Sequence, residues 1–347
     1  EWRQKIFNLP IVEYLKYAIF IKLKKKKIFK EKLILKNNYS CLLTHDCDST
    51  NISSFFEILT NFLKGIIRLD KKFFYKAIYG LKNFKLPYHQ NINFGFVKWI
   101  KLFPKFKHAF YINFNSSLNN WHLNNPKSNC SDIKFPWKIL QKLQNSKKIE
   151  FGLHPGINSN NAVKNYLNQI KKFEQNMNIN VCGLRHHYWS IDWNCIEKTY
   201  RKLVNSGFLY DCSMSYPDSF GLRSGTCMPY RPFDKLYLRP LNIFIIPTCA
   251  MDTVSVDLKY SRIQKLDLML SEIKKFGGII NLDWHTESAS NFYPFENFLV
   301  QLNQLLKRNK IESNKSMLPK EIIKKWLHKK EKINSIHLFL KEGLYDK

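Results

Sequence analysis

Four short stretches of this 347-residue chain carry side chains suited to metal or acid–base chemistry. Thr44-His45-Asp46-Cys47-Asp48 sets two carboxylates two residues apart. Along extended chain they point the same way, and they repel unless a cation or a proton sits between them. One can hold a metal while the other acts as a base. His154 precedes Pro155-Gly156. In Arg185-His186-His187, alternation puts Arg185 and His187 on one side and His186 on the other. His285 ends Leu282-Asp283-Trp284-His285. Taken singly, each stretch has a plain structural reading: an Asp-rich loop capping a helix, or a packed histidine. Together, an Asp/His/His set of oxygen and nitrogen donors suits Zn²⁺ or another divalent cation with one position left open. Hydrolysis at such a centre needs a base for water and an acid for the leaving group, and Asp46 and His285 are available for these two jobs.

The elements that must position these groups alternate between the two helical and extended periods. Ser40–Thr44 reads as a strand delivering His45 to Asp48 at its C-terminal end. A helix is expected through Phe55, Ile58, Leu59, Phe62 and Leu63, which recur at helical spacing. Further strands are expected at His108–Phe114, Ile149–Leu153, Asn180–Leu184, Phe208–Asp211, Asn242–Ile246 and Gly278–Leu282. Helices are expected near Pro136–Leu143, Ala162–Phe173, Cys195–Asn205, Ser261–Phe276, Phe295–Lys307 and Lys320–His328. Strand–helix alternation over most of the length argues for parallel strands with crossover helices. Several strands end in His, Asp or Arg, and in β/α barrels the reactive groups sit at the C-terminal ends of strands. Residues 49–107 form an insertion after the first strand, where a loop lies over the active face. Its aromatics, among them Phe55, Phe62, Phe73, Phe74, Tyr75 and Tyr79, fall at helical spacing and are expected in a core.

Composition narrows the class. Lys and Arg number 56 against 27 Asp and Glu, a formal net charge of +29, with 44% hydrophobic residues. This is a globular composition with an anionic partner in view: nucleic acid, acidic glycan or membrane surface. The excess of Lys, Asn, Ile and Phe matches A/T-rich codons, and Arg is scarce, so base-reading forks are few. Eight cysteines contain no C-x-x-C pair, which suits reduced thiols in a cytoplasmic protein. The chain starts at Glu1, and no signal peptide is visible in it. Ile11–Leu23 is too short and charged to span a bilayer, but Ile11, Leu15, Ala18 and Ile19 share a helical face ahead of Lys24–Lys27. Peripheral contact with an anionic membrane through this basic N-terminal helix is one expectation, and packing on the core is the other.

The order of motifs resembles the NodB-like polysaccharide deacetylases (carbohydrate esterase family four), in a branch associated with surface polysaccharides. The resemblance covers about residues 40–310. Thr44 to Asp48 is similar to the family's first motif, His108-Ala109-Phe110-Tyr111-Ile112 to its second strand, and Gly152-Leu153-His154-Pro155 to the metal-His motif. Gly183 to Tyr188 sits where the family has its Arg motif. Tyr210-Asp211-Cys212-Ser213-Met214 and Gly221-Leu222-Arg223-Ser224-Gly225-Thr226 resemble two segments of the branch, and Leu282 to His285 the final motif. Two departures stand out: Asn158 occupies the place of a second metal His, and Cys47 separates the two Asp of the first motif.

The resemblance implies a distorted (β/α) barrel over residues 39–310, between a basic helical segment (1–38) and a helical tail (311–347). It implies removal of an N-acyl, chiefly N-acetyl, group from a sugar of a surface polysaccharide or its precursor. The implied metal ligands are Asp48, His154 and His187, with zinc as the expected ion. Asp46 would be the base, held ionised by Arg185 or Arg223, and His285 the acid. Asp211 would orient a catalytic partner. The implied partner is a carbohydrate and not nucleic acid. Two alternatives remain at this level: a catalytically silent glycan binder of the same fold, for which Asn158 speaks, and a basic nucleic-acid-binding protein.

Overall fold

In a computed structural model of the chain, the described residues are 8–26, 38–48, 55–83, 95–113, 137–255, 260–289 and 298–327. Helix α1 (Ile11–Lys25) is followed by β1 (Ser40–Cys47), α2 (Phe55–Arg68), α3 (Lys71–Asn83), α4 (Phe96–Leu102) and β2 (His108–Ile112). Then come α5 (Trp137–Gln144), β3 (Ile149–Leu153), α6 (Val163–Met177), β4 (Gly183–Leu184), α7 (Ile196–Asn205) and β5 (Tyr210–Asp211). A small antiparallel pair, β6 (Phe233–Asp234) and β7 (Arg239–Pro240), precedes β8 (Phe244–Ile245) and β9 (Ala250–Met251). The chain continues through α8 (Asp252–Ser255), α9 (Tyr260–Lys275), β10 (Ile279–Asp283) and α10 (Phe298–Arg308), and residues 319–327 are again helical.

Eight strands form one parallel sheet in the order β8-β5-β4-β3-β2-β1-β10-β9. A single stretch of chain, 244–251, joins its two edges. The N–H of Phe244 and of Ile246 donate to Leu209 and Asp211 on the β5 side, and Thr248 N–H to Met214; Cys249 N–H then donates to Asn281 in β10. The sheet thus curls into a distorted (β/α) barrel with helices outside; the parallel strands are those that the alternation of periods predicts, and the barrel is the one that the resemblance implies.

Strand alternation sorts the side chains into two cores. Outward, Leu43, Phe110, Phe151 and Leu153 pack with Trp99, Phe173, Leu203 and Leu270 of the helices. Inward and low in the barrel, Leu42, Tyr210, Phe244 and Ile279 meet Ile322 and Ile323 from the C-terminal helix, which plugs the bottom. The segment leading to that helix is tied to β1 where Met317 N–H donates to Cys41 O at 2.9 Å. Above the plug lies a polar layer of Thr44, Asn281, Thr248 and Arg185. Gly183 is required beside it, because a Cβ there would come within 2.0 Å of the Tyr210 ring.

Several boundaries differ from the sequence expectation. β1 runs through Cys47, so Asp46 lies inside the strand. β4, β5 and β8 hold only two residues each, yet their hydrogen bonding continues beyond them: Arg185 N–H donates to Leu153 O and Cys212 N–H to Leu184 O. β9 was not anticipated. In α2 the helical spacing is right and Ile58 is buried, but Phe62, one of the aromatics expected in a core, is 47% exposed, with Leu59 and Leu63 beside it 44% and 48% exposed. Tyr75 of α3 is exposed too, while Phe55 and Tyr79 have side chains outside the described set. Helix α1 packs on the barrel through Glu13, which accepts from Thr226 Oγ1 and Cys227 N–H, and leaves Leu15 and Ile19 exposed. The seven described cysteines form no disulfide, and Cys130 lies outside the described residues. Among the described residues, no helix is long and apolar enough to cross a membrane.

Candidate active site

Five of the groups singled out from the sequence meet at the C-terminal mouth of the barrel. β1 carries Thr44 and Asp46 inward and releases Asp48 just past its end. His45, between them, points outward and bonds to the Trp284 carbonyl at 2.9 Å and to His108 at 3.0 Å. His154 follows β3, its N–H donating to Ile112 O at 2.8 Å, and His187 follows β4. His285 follows β10. Asp48 Oδ1 lies 3.0 Å from His154 Nε2 and 3.5 Å from His187 Nε2, and Asp48 Oδ2 lies 3.7 Å from His285 Nε2. Asp46 Oδ2 is 3.9 Å from His154 Nε2.

Asp48, His154 and His187 offer donor atoms that all lie within 4.8 Å of one another. Their chemistry fits a divalent cation. His154 donates its Nδ1–H to the Arg185 carbonyl at 2.6 Å, which leaves Nε2 with its lone pair toward the cluster, the usual outer contact of a ligating histidine. His187 Nε2 is buried and makes no hydrogen bond, a costly state for a polar atom unless something occupies the space it faces. Asp48 keeps 14% of its side chain exposed, so one side of the cluster opens to solvent. Asn158 is exposed on the turn after His154 and takes no part.

Arg185 underlies this cluster. It is 3% exposed, and each of its three nitrogens has a partner. Nε donates to Cys212 O; Nη1 faces Asp46 Oδ1 at 2.9 Å and Asp283 Oδ1 at 2.6 Å; Nη2 donates to Thr44 and Thr248 hydroxyls. Only a guanidinium has the fork to span these groups. Burial pushes the Asp46 carboxyl up, but Arg185 and the nearby imidazoles outweigh it and hold the group below its ordinary range. Burial wins at Asp283, which is driven well above that range despite Arg185, with Asp46 adding to the rise. Of two acids sharing one cation, Asp46 is the one that gives up its proton more readily.

His285 is held from behind by Asp252. Its Nδ1 lies 2.7 Å from Asp252 Oδ1, and its N–H donates to Asp252 Oδ2 at 2.7 Å; the Ser288 hydroxyl also donates to that carboxylate. Burial lowers the imidazole's proton affinity, but Asp252 and Asp48 raise it more, so His285 sits well above the ordinary histidine range. Its proton is held more tightly than that of a free imidazole. Asp48 is driven up by burial and brought far below the ordinary range by His285, His154 and His187.

Two predicted residues stand apart. Arg223 does not bond to Asp46; its guanidinium lies 3.4 Å over the Trp193 ring and donates to Ser215 O, and the arginine beside Asp46 is Arg185. Asp211 accepts from the Ser213 N–H and hydroxyl and lies 4.0 Å from His186, the imidazole on the opposite side from His187. Two residues were missed. Asp252 carries the same signal as the others, an acid at a strand end, but β9 is too short to show a period. Asp283 sat in plain view as part of the final motif.

No protein-family model matches the chain, and no curated protein matches it. Among solved structures, the chain is similar to a candidate polysaccharide deacetylase involved in O-antigen biosynthesis from Bordetella bronchiseptica, at 14% identity over 64% of this chain and 77% of that one, with a TM-score of 0.33. It is also similar to a 4-alpha-glucanotransferase from Thermococcus litoralis, at 11% identity over 83% of this chain and 40% of that one, with a TM-score of 0.48.

Proposed function

We propose that this chain is a metal-dependent hydrolase that removes an N-acyl group, chiefly acetyl, from an amino sugar of a surface polysaccharide or its precursor. One observation carries the reading. An Asp/His/His donor set, a carboxylate held by a buried arginine, and a histidine held by a second carboxylate converge at one mouth. Asp48, His154 and His187 would hold a divalent cation, with zinc the ion their donors favour. When bound, that cation supplies Lewis acidity toward an acyl carbonyl and makes water more acidic.

The protein's own groups then divide the proton traffic. Asp46, kept ionised by Arg185, accepts a proton from the attacking water. Arg185 fixes the carboxylate's orientation by occupying Oδ1, which leaves Oδ2 toward the cluster. His285 enters the cycle protonated and presents Nε2 toward the cluster, where it gives its proton to the departing nitrogen; Asp252 fixes the ring and the tautomer. An amide needs this second group because an unprotonated amine is a poor leaving group. Asp211 and Arg223 are not assigned a step. The test is deacylation of N-acetylated oligosaccharides by Asp46→Asn and His285→Ala proteins, each expected to lose ~100-fold or more in kcat while staying folded. Wild-type turnover in either variant overturns the assignment.

A further inference from the structure

The insertion after β1 poses a question that the chemistry does not answer. Helices α2 and α3 pack on each other as a hairpin. Gly65 lets them approach, since a Cβ there would touch the Phe74 ring at 3.0 Å, and Phe62 meets Phe74 edge-on at 5.6 Å. The stripe Leu59, Phe62, Leu63, Ile66 and Ile67 has the spacing of a buried helix face, yet these residues are 44% to 79% exposed. The turn between the helices goes further. Ile67 and Leu69 are 79% and 88% exposed, the two highest values among the described large apolar side chains, and Leu69 has a left-handed backbone (φ 49°). Both ends of the insertion are fixed at the catalytic mouth. It leaves from Asp48, and it returns at Gly95, so close to Thr286 that a Cβ would lie 1.8 Å from that carbonyl. Just beyond, Trp99 Nε1–H donates to the His285 carbonyl.

Charge identifies the occupant. Residues 55–83 hold six basic and two acidic side chains, and Arg68 and Lys71 flank the apex in exposed positions. An exposed apolar tip with Arg68 and Lys71 at its sides, and one acid, Asp70, between them, suits a surface that yields around it. A second copy of this chain, with its net charge of +29, would bring like charge against like. An interfacial bilayer region rich in acidic headgroups supplies both apolar depth and counter-charge.

We propose that the α2–α3 hairpin docks the protein on an anionic lipid surface, with Ile67 and Leu69 entering the headgroup boundary and Arg68 and Lys71 against lipid phosphates. The inference is independent of the hydrolase reading, because its readout is binding. The full chain is tested by flotation with phosphatidylcholine vesicles, with and without phosphatidylglycerol, at rising salt. Binding is expected to the phosphatidylglycerol vesicles, to weaken as salt screens the headgroups, and to drop about fivefold for each cation removed in R68Q/K71Q. The apex variant I67D/L69D, made at two exposed positions, is expected to keep its melting temperature and to lose at least tenfold in partitioning. No flotation with either vesicle at low salt overturns the proposal, as does equal binding to both compositions or undiminished binding of I67D/L69D. A dimer that I67D/L69D dissociates, or retention on nucleic acid without vesicle binding, assigns the hairpin to another partner and overturns it too.

Discussion

The sharing of Arg185 between Asp46 and Asp283 has a thermodynamic signature. If Asp283 keeps its proton in the native state, Asp283→Asn copies that state and costs no more than about 1 kcal/mol. Asp46→Asn removes the ionised partner, but Asp283 can then release its proton and take over. The cost is the difference between a charged and a neutral acceptor, about 1 kcal/mol. With both acids changed to Asn, a guanidinium that is 3% exposed keeps no counter-charge. Stranding a buried charge costs about 4 kcal/mol. The coupling energy of the cycle is therefore about 2 kcal/mol, far above the few tenths found for independent sites. Urea denaturation of the four proteins at neutral pH, in chelator so that no metal contributes, measures it, provided the m values agree. The pH dependence has a fixed sign. A carboxyl raised in the folded state binds its proton more tightly there than in the unfolded chain. Wild-type stability relative to Asp283→Asn must therefore fall as pH climbs above the unfolded carboxylate value. Additivity within about 0.5 kcal/mol refutes the shared-charge reasoning, and so does a rising pH trend.

Asp252→Asn should strip His285 of its main counter-charge; kcat falls by ~100-fold or more, and the alkaline limb of kcat/KM moves to lower pH. An unmoved limb would show that Asp252 does not set the histidine's protonation. Dialysis against a chelator should abolish deacylation and zinc should restore it, while His154→Ala and His187→Ala should leave the purified protein with substoichiometric metal by elemental analysis. Deep in the barrel, burial outweighs the Tyr210 and Lys320 hydrogen bonds and raises Glu150 to about 7. Against an unfolded value near 4.5, this carboxyl removes about 3 kcal/mol of stability as pH rises through that window. Glu150→Gln, which can still bond to both partners, should flatten that slope in denaturation curves at pH 5 to 8; an unaltered slope rules out Glu150 as its source.

The groups at the mouth were legible because a barrel imposes one rule on many strands. Charged residues at successive strand ends, in runs that are otherwise apolar, have one shared place to go, and Asp48, His154, His187 and His285 follow it. Asp252 escaped because Ala250–Met251 is too short to display alternation and lies just after Pro247. Arg185 and Arg223 could not be ranked from sequence, since each lies in a segment that resembles a family motif; the difference is depth, with one guanidinium inside the ring and the other stacked on Trp193. Periodicity located α2 correctly but misled about its surroundings. An apolar stripe states that a helix wants a nonaqueous neighbour, not that the neighbour belongs to the same chain.

β1 has an awkward place in the order of synthesis. It lies between β2 and β10, with Ser40 opposite Ile279 and Thr44 opposite Asp283. One side of this early strand must wait, unpaired, until nearly all of the ring has emerged. Contacts so distant along the chain are slow to form and leave strand edges exposed meanwhile. The reactive mouth, which draws on both of these strands, is consequently among the last parts of the molecule to come into being.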